Sequence, residues 1–241
     1  MRTVAAAAQA PDLDLLWTSA SFGAMTLSRH ALAADRTSAS ADWCEMFALP
    51  GSQLAISIGD VCGHDEAGAR LMIDIRRDIR EEARALREPS DVLRAVNERM
   101  CRRGSPTYAT SVYGIVDIPT QTLAFASAGH PAPLLIEGGR ARFLRAQLGD
   151  MPLGIQPTLQ IVTHRVSLAA NALVVFYTDG VVEIDRDAAA GEHRLRDAAR
   201  VAFHAPGIAA AEAIARHLEL PRRKRDDASI LTVRTARESS P

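Results

Sequence analysis

Residues 54–69 read LAISIGDVCGHDEAGA, and the change of pattern inside this stretch decides the fold. Leu54, Ile56 and Ile58 alternate with smaller residues, the period-two signature of a strand, which ends at the pair Gly59-Asp60. A helix should follow almost at once. Ala67, Leu71, Ile75, Ile79, Ala83 and Leu86 recur three and four apart with Arg and Glu between them, so one apolar stripe faces a core. Pro89 is expected to close that helix, and Ser90 to cap a second one carrying Val92, Leu93, Val96 and Met100 on one face.

Downstream the period changes again. Residues 107–118, 122–127, 133–137, 141–144, 159–166 and 172–177 are β-rich runs separated by turn residues such as Gly138-Gly139. They read as a meander of antiparallel strands. Two amphipathic stretches follow, Glu192 to Phe203 and Ile208 to Leu218, before a last strand from Ser229 to Arg234. Strands in a block with helices grouped apart argue for an α+β protein whose helices cover the faces of an antiparallel sheet or sandwich. The expected organisation is one domain over 17–235, with frayed ends at 1–16 and 236–241.

Composition narrows the function classes. The chain has 241 residues, 47% of them hydrophobic, and a formal net charge of -1 from 28 basic and 29 acidic residues. No global field draws it to nucleic acid or to an acidic membrane, so partners must be chosen by local surfaces. Cys44, Cys62 and Cys101 are odd in number and lack metal-ligand spacing, which points to a reducing cytoplasm. Pro11 and Asp12 interrupt the N-terminal Ala run before a signal peptide's apolar core can form.

The acidic residues fall where chemistry is expected. Asp60 ends a strand in IGD, Asp179 follows another in VVFYTDG, and Asp226-Asp227 stand just before the last strand in RDDASILTV. Asp42, flanked by Trp43 and Phe47, lies ahead of the strand that leads to Asp60. Each alone is ordinary turn chemistry. Converging in one cleft, carboxylates repel one another until cations or protons relieve them, and oxygen-only ligands suit Mg²⁺ or Mn²⁺. No His/Cys cluster competes for zinc or copper.

These residues resemble the PPM/PP2C-like phosphatases, in the branch named for the sporulation phosphatase SpoIIE that includes the regulators of sigma-B. GDVCGHDEAGA at 59–69 is similar to the family's GDVxGHGxxAA, SAGHPAPLLI at 127–136 to NAGHPPPLLL, and MPLGI at 151–155 to PLGV. VVFYTDGVVEI at 174–184 resembles LLLYTDGLTEA, and DDASILTVR at 226–234 resembles DDxTLLVLR. The resemblance runs from about residue 27 to about residue 234 and implies a PP2C-like antiparallel β-sandwich flanked by α-helices.

It also implies roles. Asp42 matches the aspartate of a GGD motif, Asp60 the metal-bridging aspartate, and Val61 the residue whose backbone carbonyl binds a metal. Asp179 matches the TDG aspartate and Asp226 the last metal ligand, with Asp227 ranked below it. Asp60 and Asp179 are the residues expected to carry catalysis around two divalent ions, Mn²⁺ or Mg²⁺. The implied reaction is hydrolysis of phosphoserine or phosphothreonine on a bacterial stress or sporulation signalling partner, of the STAS anti-sigma-factor antagonist type. A regulatory protein acting on the helix from Ala67 to Leu86 is implied as well.

Ser40 and Ala41 replace two glycines of the family pattern, Asp65 replaces the last glycine of GHG, and Glu45 replaces an aspartate. Two histidines, His64 and His130, are candidates to protonate the leaving oxygen, though each also reads as a loop-fixing residue; Cys62 reads as small packing. Two readings compete with the enzyme: a pseudophosphatase that only grips a partner, and a phosphoesterase for small molecules. Retention of every metal carboxylate favours the enzyme, and no Walker-type nucleotide cradle is present in the sequence.

Overall fold

The computed structural model describes residues 2–4, 19–23, 25–32, 41–63, 65–105, 107–144, 151–184, 186–205, 208–220 and 226–236. Among these, the strands are β1 (Arg2–Val4), β2 (Ser19–Phe22), β3 (Met25–Leu32), β4 (Asp42–Leu49), β5 (Gln53–Val61), β6 (Ala109–Asp117), β7 (Thr122–Ala128), β8 (Leu134–Glu137), β9 (Arg140–Phe143), β10 (His164–Ser167), β11 (Leu173–Tyr177) and β12 (Ala228–Arg234). The helices are α1 (Glu66–Glu82), α2 (Pro89–Arg103), α3 (Ala188–His204) and α4 (Ala210–His217).

The strands form two sheets, ordered β1-β2-β3-β12-β11-β8-β9 and β10-β7-β6-β5-β4, antiparallel throughout except where β1 pairs with β2. Period-two alternation sorts their side chains into layers. Leu54, Ile56 and Ile58 of β5 meet Leu231 and Val233 of β12 between the sheets. Ala55 and Val61 face outward under Leu71, Ile75 and Ile79 of α1 and Val92, Leu93 and Val96 of α2. Ile230 and Val175 face outward on the other side, under Leu195 of α3 and Ile214 of α4. The result is four layers, helix–sheet–sheet–helix, the α+β sandwich expected from the sequence.

Several boundaries differ from the sequence reading. Pro89 does not close α1: that helix stops at Glu82, and Pro89 starts α2, where a missing N–H costs nothing because the first-turn donors have no intrahelical partner. Glu88 rather than Ser90 occupies the cap position of α2. The run expected over 159–166 becomes strand only from His164, as His164–Ser167, since Arg94 donates to the Ile161 carbonyl and Thr163 accepts from the Ser90 amide, tying the earlier residues to α2. The β-rich runs from 107 to 177 are not one meander: β6, β7 and β10 share one sheet, while β8, β9 and β11 lie in the other.

Of the stretches expected to fray, Arg2–Val4 is strand β1 and the Ala236 carbonyl accepts from the Asn171 amide. The rest of 1–16 and residues 237–241 lie outside the described residues, as do Ser40 and His64. All three cysteines are free. Among the described residues no helix is long and apolar enough to cross a membrane.

Candidate metal centre

The site begins with strand register. Asp42, the first residue of β4, stands directly opposite Asp60 of β5, and the next pair along is Trp43 opposite Gly59. Directly paired residues project to the same face with Cβ atoms about 5 Å apart, so two carboxylates here repel each other. The neighbouring glycine explains how the register is kept. A Cβ on Gly59 would lie 2.2 Å from the Trp43 ring and 2.3 Å from the Thr110 carbonyl oxygen, and the ring is fixed from above because its Nε1 donates to Ser57 Oγ at 2.8 Å. Only glycine leaves room for the indole that sets the carboxylate pair in place.

The other sheet supplies the remaining carboxylates. β11 runs out at Tyr177 into a single 3₁₀ turn, Asp179–Val181, and β12 begins just after Asp226-Asp227. A Cβ on Gly180 would lie 1.9 Å from the Asp227 carbonyl oxygen, so these two loops are pressed together at a glycine. Thr178 joins the sheets: its hydroxyl donates to Asp42 Oδ2 at 2.7 Å and accepts from the Ser229 amide at 2.9 Å.

Electrostatics follows from this convergence. The Asp42 carboxyl is pushed up to about 8, first by burial, against which the Thr178 hydrogen bond acts; the charges of Asp60, Asp227 and Asp179 push it further. A carboxyl that resists ionisation because it is buried, and that three further carboxylates push the same way, belongs to a donor set for which a hard divalent ion is the natural relief. Asp42, Asp60, Asp179 and Asp227 therefore fit such an ion. Asp226 is exposed and, with Asp179, lines an adjoining cleft of about 230 Å³ together with Gly180, Glu183, Ile184 and Arg186. Its neighbour Asp227 is buried, and its charge bears on Asp42. Among the described residues no three acidic, His or Cys side chains already close around one point, so the cluster is convergent rather than a finished cage.

Beneath the carboxylates lies His130, 8% exposed. Its Nε2 faces the Tyr177 carbonyl at 3.1 Å, so this nitrogen carries the proton and donates; Nδ1 then accepts from the Thr110 hydroxyl at 2.7 Å. Thr110 is the register partner of Asp60 on β6, so one neutral imidazole braces the strand beside Asp60 against the strand leading to Asp179. Burial pushes His130 down to about 3, with the Tyr177 contact opposing. Of the loop-fixing and proton-donor readings of His130, the geometry fits the first.

The glycine replacements also have an account. Ala41 is buried, its carbonyl accepts from the Val61 amide at 3.3 Å and so extends the β4–β5 ladder, and its φ is not positive. Asp65 has φ -89 and caps α1, its Oδ1 accepting from the Gly68 amide at 2.9 Å. Neither position needs the left-handed backbone that favours glycine. The sharp turn falls on Gly63 at φ 115, and Gly68 admits its carbonyl, which would lie 2.2 Å from a Cβ there. Glu45, buried in β4, takes Arg76 and Arg80 of α1 on its Oε2 at 3.0 Å each, fastening that helix to the strand that begins with Asp42. Thr178 and the Arg76–Glu45–Arg80 clamp were missed in the sequence because their partners are far apart in the chain.

Comparison with known proteins bears on the family and the fold. Residues 50–236 match the family model described as stage II sporulation protein E (SpoIIE), a span that contains Asp60, Asp179, Asp226 and Asp227 and leaves out Asp42. The fold is similar to the RsbU and RsbW domains of a Mycobacterium tuberculosis protein, with 26% identity and a TM-score of 0.76 over 90% of this chain and 62% of that one. It is also similar to the PP2C phosphatase domain with a regulatory fragment of SpoIIE from Bacillus subtilis, with 17% identity and a TM-score of 0.72 over 87% of this chain and 63% of that one. RsbX in complex with magnesium is a third, with 15% identity and a TM-score of 0.68 over 88% of this chain and 96% of that one. The chain thus spans under two thirds of the first and second of these structures.

Proposed function

The chain belongs to the SpoIIE family of PP2C-like phosphatases, and on that premise we propose that residues 17–235 act as one metal-dependent phosphatase domain. It hydrolyses phosphoserine or phosphothreonine on a signalling partner in the cytoplasm, a STAS-type anti-sigma-factor antagonist. The observation that carries this reading is the opposed pair Asp42 and Asp60, faced by the charges of Asp179 and Asp227.

Asp42, Asp60, Asp179, the Val61 carbonyl and one or both of Asp226 and Asp227 would hold two divalent ions, Mn²⁺ or Mg²⁺. Bound there, the ions supply Lewis acidity toward the phosphoryl oxygens and a water of lowered pKa. Thr178 aims one oxygen of Asp42 and ties it to β12, so the carboxylates of the two sheets keep their separation. His130 holds its only proton against a carbonyl, which fits a brace between strands rather than the acid that protonates the leaving oxygen. Ordinary backbone at Ala41 and Asp65 supports an active enzyme over a pseudophosphatase, since neither replacement needs the left-handed conformation that a lost glycine would have supplied.

The test compares phosphate release from a phosphorylated STAS-type protein, from a nucleoside monophosphate and from p-nitrophenyl phosphate, each with Mn²⁺. Faster turnover of the phosphoprotein supports the reading. Preference for the nucleotide would replace the substrate class, and partner binding without release from any of the three would make the chain a binding module.

A further inference from the structure

Among the described residues that line the cleft beside the carboxylates, the basic side chain is Arg186 and the acidic ones are Asp179, Glu183 and Asp226. A phosphoryl dianion entering here meets three carboxylates, and a guanidinium offers the planar fork of N–H donors that matches phosphate oxygens.

The backbone at Arg186 points the same way. Its φ is +59, the left-handed region that a non-glycine residue occupies at a cost and that clusters at ligand sites. The turn is held on both sides: the Arg186 amide donates to the Glu183 carbonyl at 3.0 Å, and the adjacent Asp187 caps α3 by accepting from the Ala190 amide at 3.0 Å. Farther into α3, a Cβ on Gly191 would lie 1.8 Å from the Val182 carbonyl oxygen, so the helix start is seated against the loop that carries Asp179. Among the described residues no ion pair engages the Arg186 guanidinium. A long cationic side chain is thus carried at the cleft on a strained, fixed turn.

We propose that Arg186 is a phosphate-binding residue that grips the phosphoryl group of the substrate and of the inorganic phosphate product. This rests on the reading of the cleft as a phosphoester site. It requires that the side chain bind oxyanions whether or not the chemistry proceeds.

Binding of inorganic phosphate to the Mg²⁺-loaded protein, followed by ³¹P NMR, tests it with Arg186→Asn and Arg186→Lys. Asparagine tolerates the left-handed backbone better than arginine, so Arg186→Asn should keep or raise the thermal midpoint while weakening phosphate about tenfold, as expected for one lost charge-assisted contact. Arg186→Lys should fall between the two. Phosphate bound as tightly by Arg186→Asn as by the wild type, or no phosphate binding by the wild type, overturns the inference. A wild type that binds phosphate through Arg186 yet hydrolyses no phosphoester would instead overturn the proposed function and leave the inference standing.

Discussion

Thr178 donates its hydroxyl proton to Asp42 across the gap between the two sheets, at 2.7 Å, while accepting from the Ser229 amide. One β-branched side chain thus sets the orientation of a carboxylate 136 positions away in sequence. Thr178→Val keeps the shape and removes both bonds, leaving a buried amide without its partner. The expected cost is about 1–3 kcal/mol by urea denaturation, with a fall in phosphatase rate, and Thr178→Ser should recover most of both. A valine variant with wild-type stability and rate would remove Thr178 from the account.

The Asp42 carboxyl makes the stability of the metal-free fold depend on pH. Its folded value of about 8 lies above the ordinary 3.8, so metal-free folding takes up a proton, and this contribution is fully present below 3.8 and lost as pH rises through 8. Metal-free protein should lose stability between pH 6.5 and 8, by at most about 1.4 kcal/mol per pH unit from this group. Mn²⁺ should stabilise more at pH 8 than at pH 6.5, and Asp42→Asn should flatten the metal-free slope. Denaturation in EDTA and in Mn²⁺ at both pH values checks this; an increment independent of pH would contradict it.

His130 acts in the opposite direction and in another window. Its folded value of about 3 lies below the ordinary 6.5, so its contribution is present above 6.5 and is lost as pH falls toward 3. The wild type should therefore lose stability on acidification from pH 6.5 to 4 more steeply than His130→Gln, measured by the difference between the two denaturation series. Parallel series would show that the imidazole is not held neutral in the fold.

Gly59 has no freedom to grow. Gly59→Ala should destabilise by roughly 1–3 kcal/mol, the usual cost of overpacking, because the added methyl meets both the Trp43 ring and the Thr110 carbonyl. The thermal midpoint reads this directly. A midpoint within experimental error of the wild type would mean that the indole does not hold the Asp42–Asp60 register.

How far the sequence reached depends on whether the deciding contacts were local. β5 and β12 were legible because alternation ends at Asp60 and begins after Asp227, and α1 because its stripe recurs every three or four residues. β4 was not recognised as a strand: DWCEMFAL interrupts its apolar run with Glu45, whose charge is answered by Arg76 and Arg80 of α1, more than thirty positions on. The run 159–166 has strand composition, but Leu159 and Ile161 bury against the helix side of the core instead of pairing. The partition of strands into two sheets, the bridging Thr178 and the braced His130 all depend on residues brought together by that partition. Alternation along one strand cannot specify them.

On the proposed reading, the converging aspartates serve a metal-dependent phosphatase. The most direct test is the rate of p-nitrophenyl phosphate hydrolysis as a function of Mn²⁺, for the wild type and Asp60→Asn. Saturable Mn²⁺-dependent turnover, abolished by EDTA and reduced more than about a hundredfold in Asp60→Asn, is the predicted result. Turnover that persists in EDTA, or an Asp60→Asn variant with the wild-type rate, would contradict it.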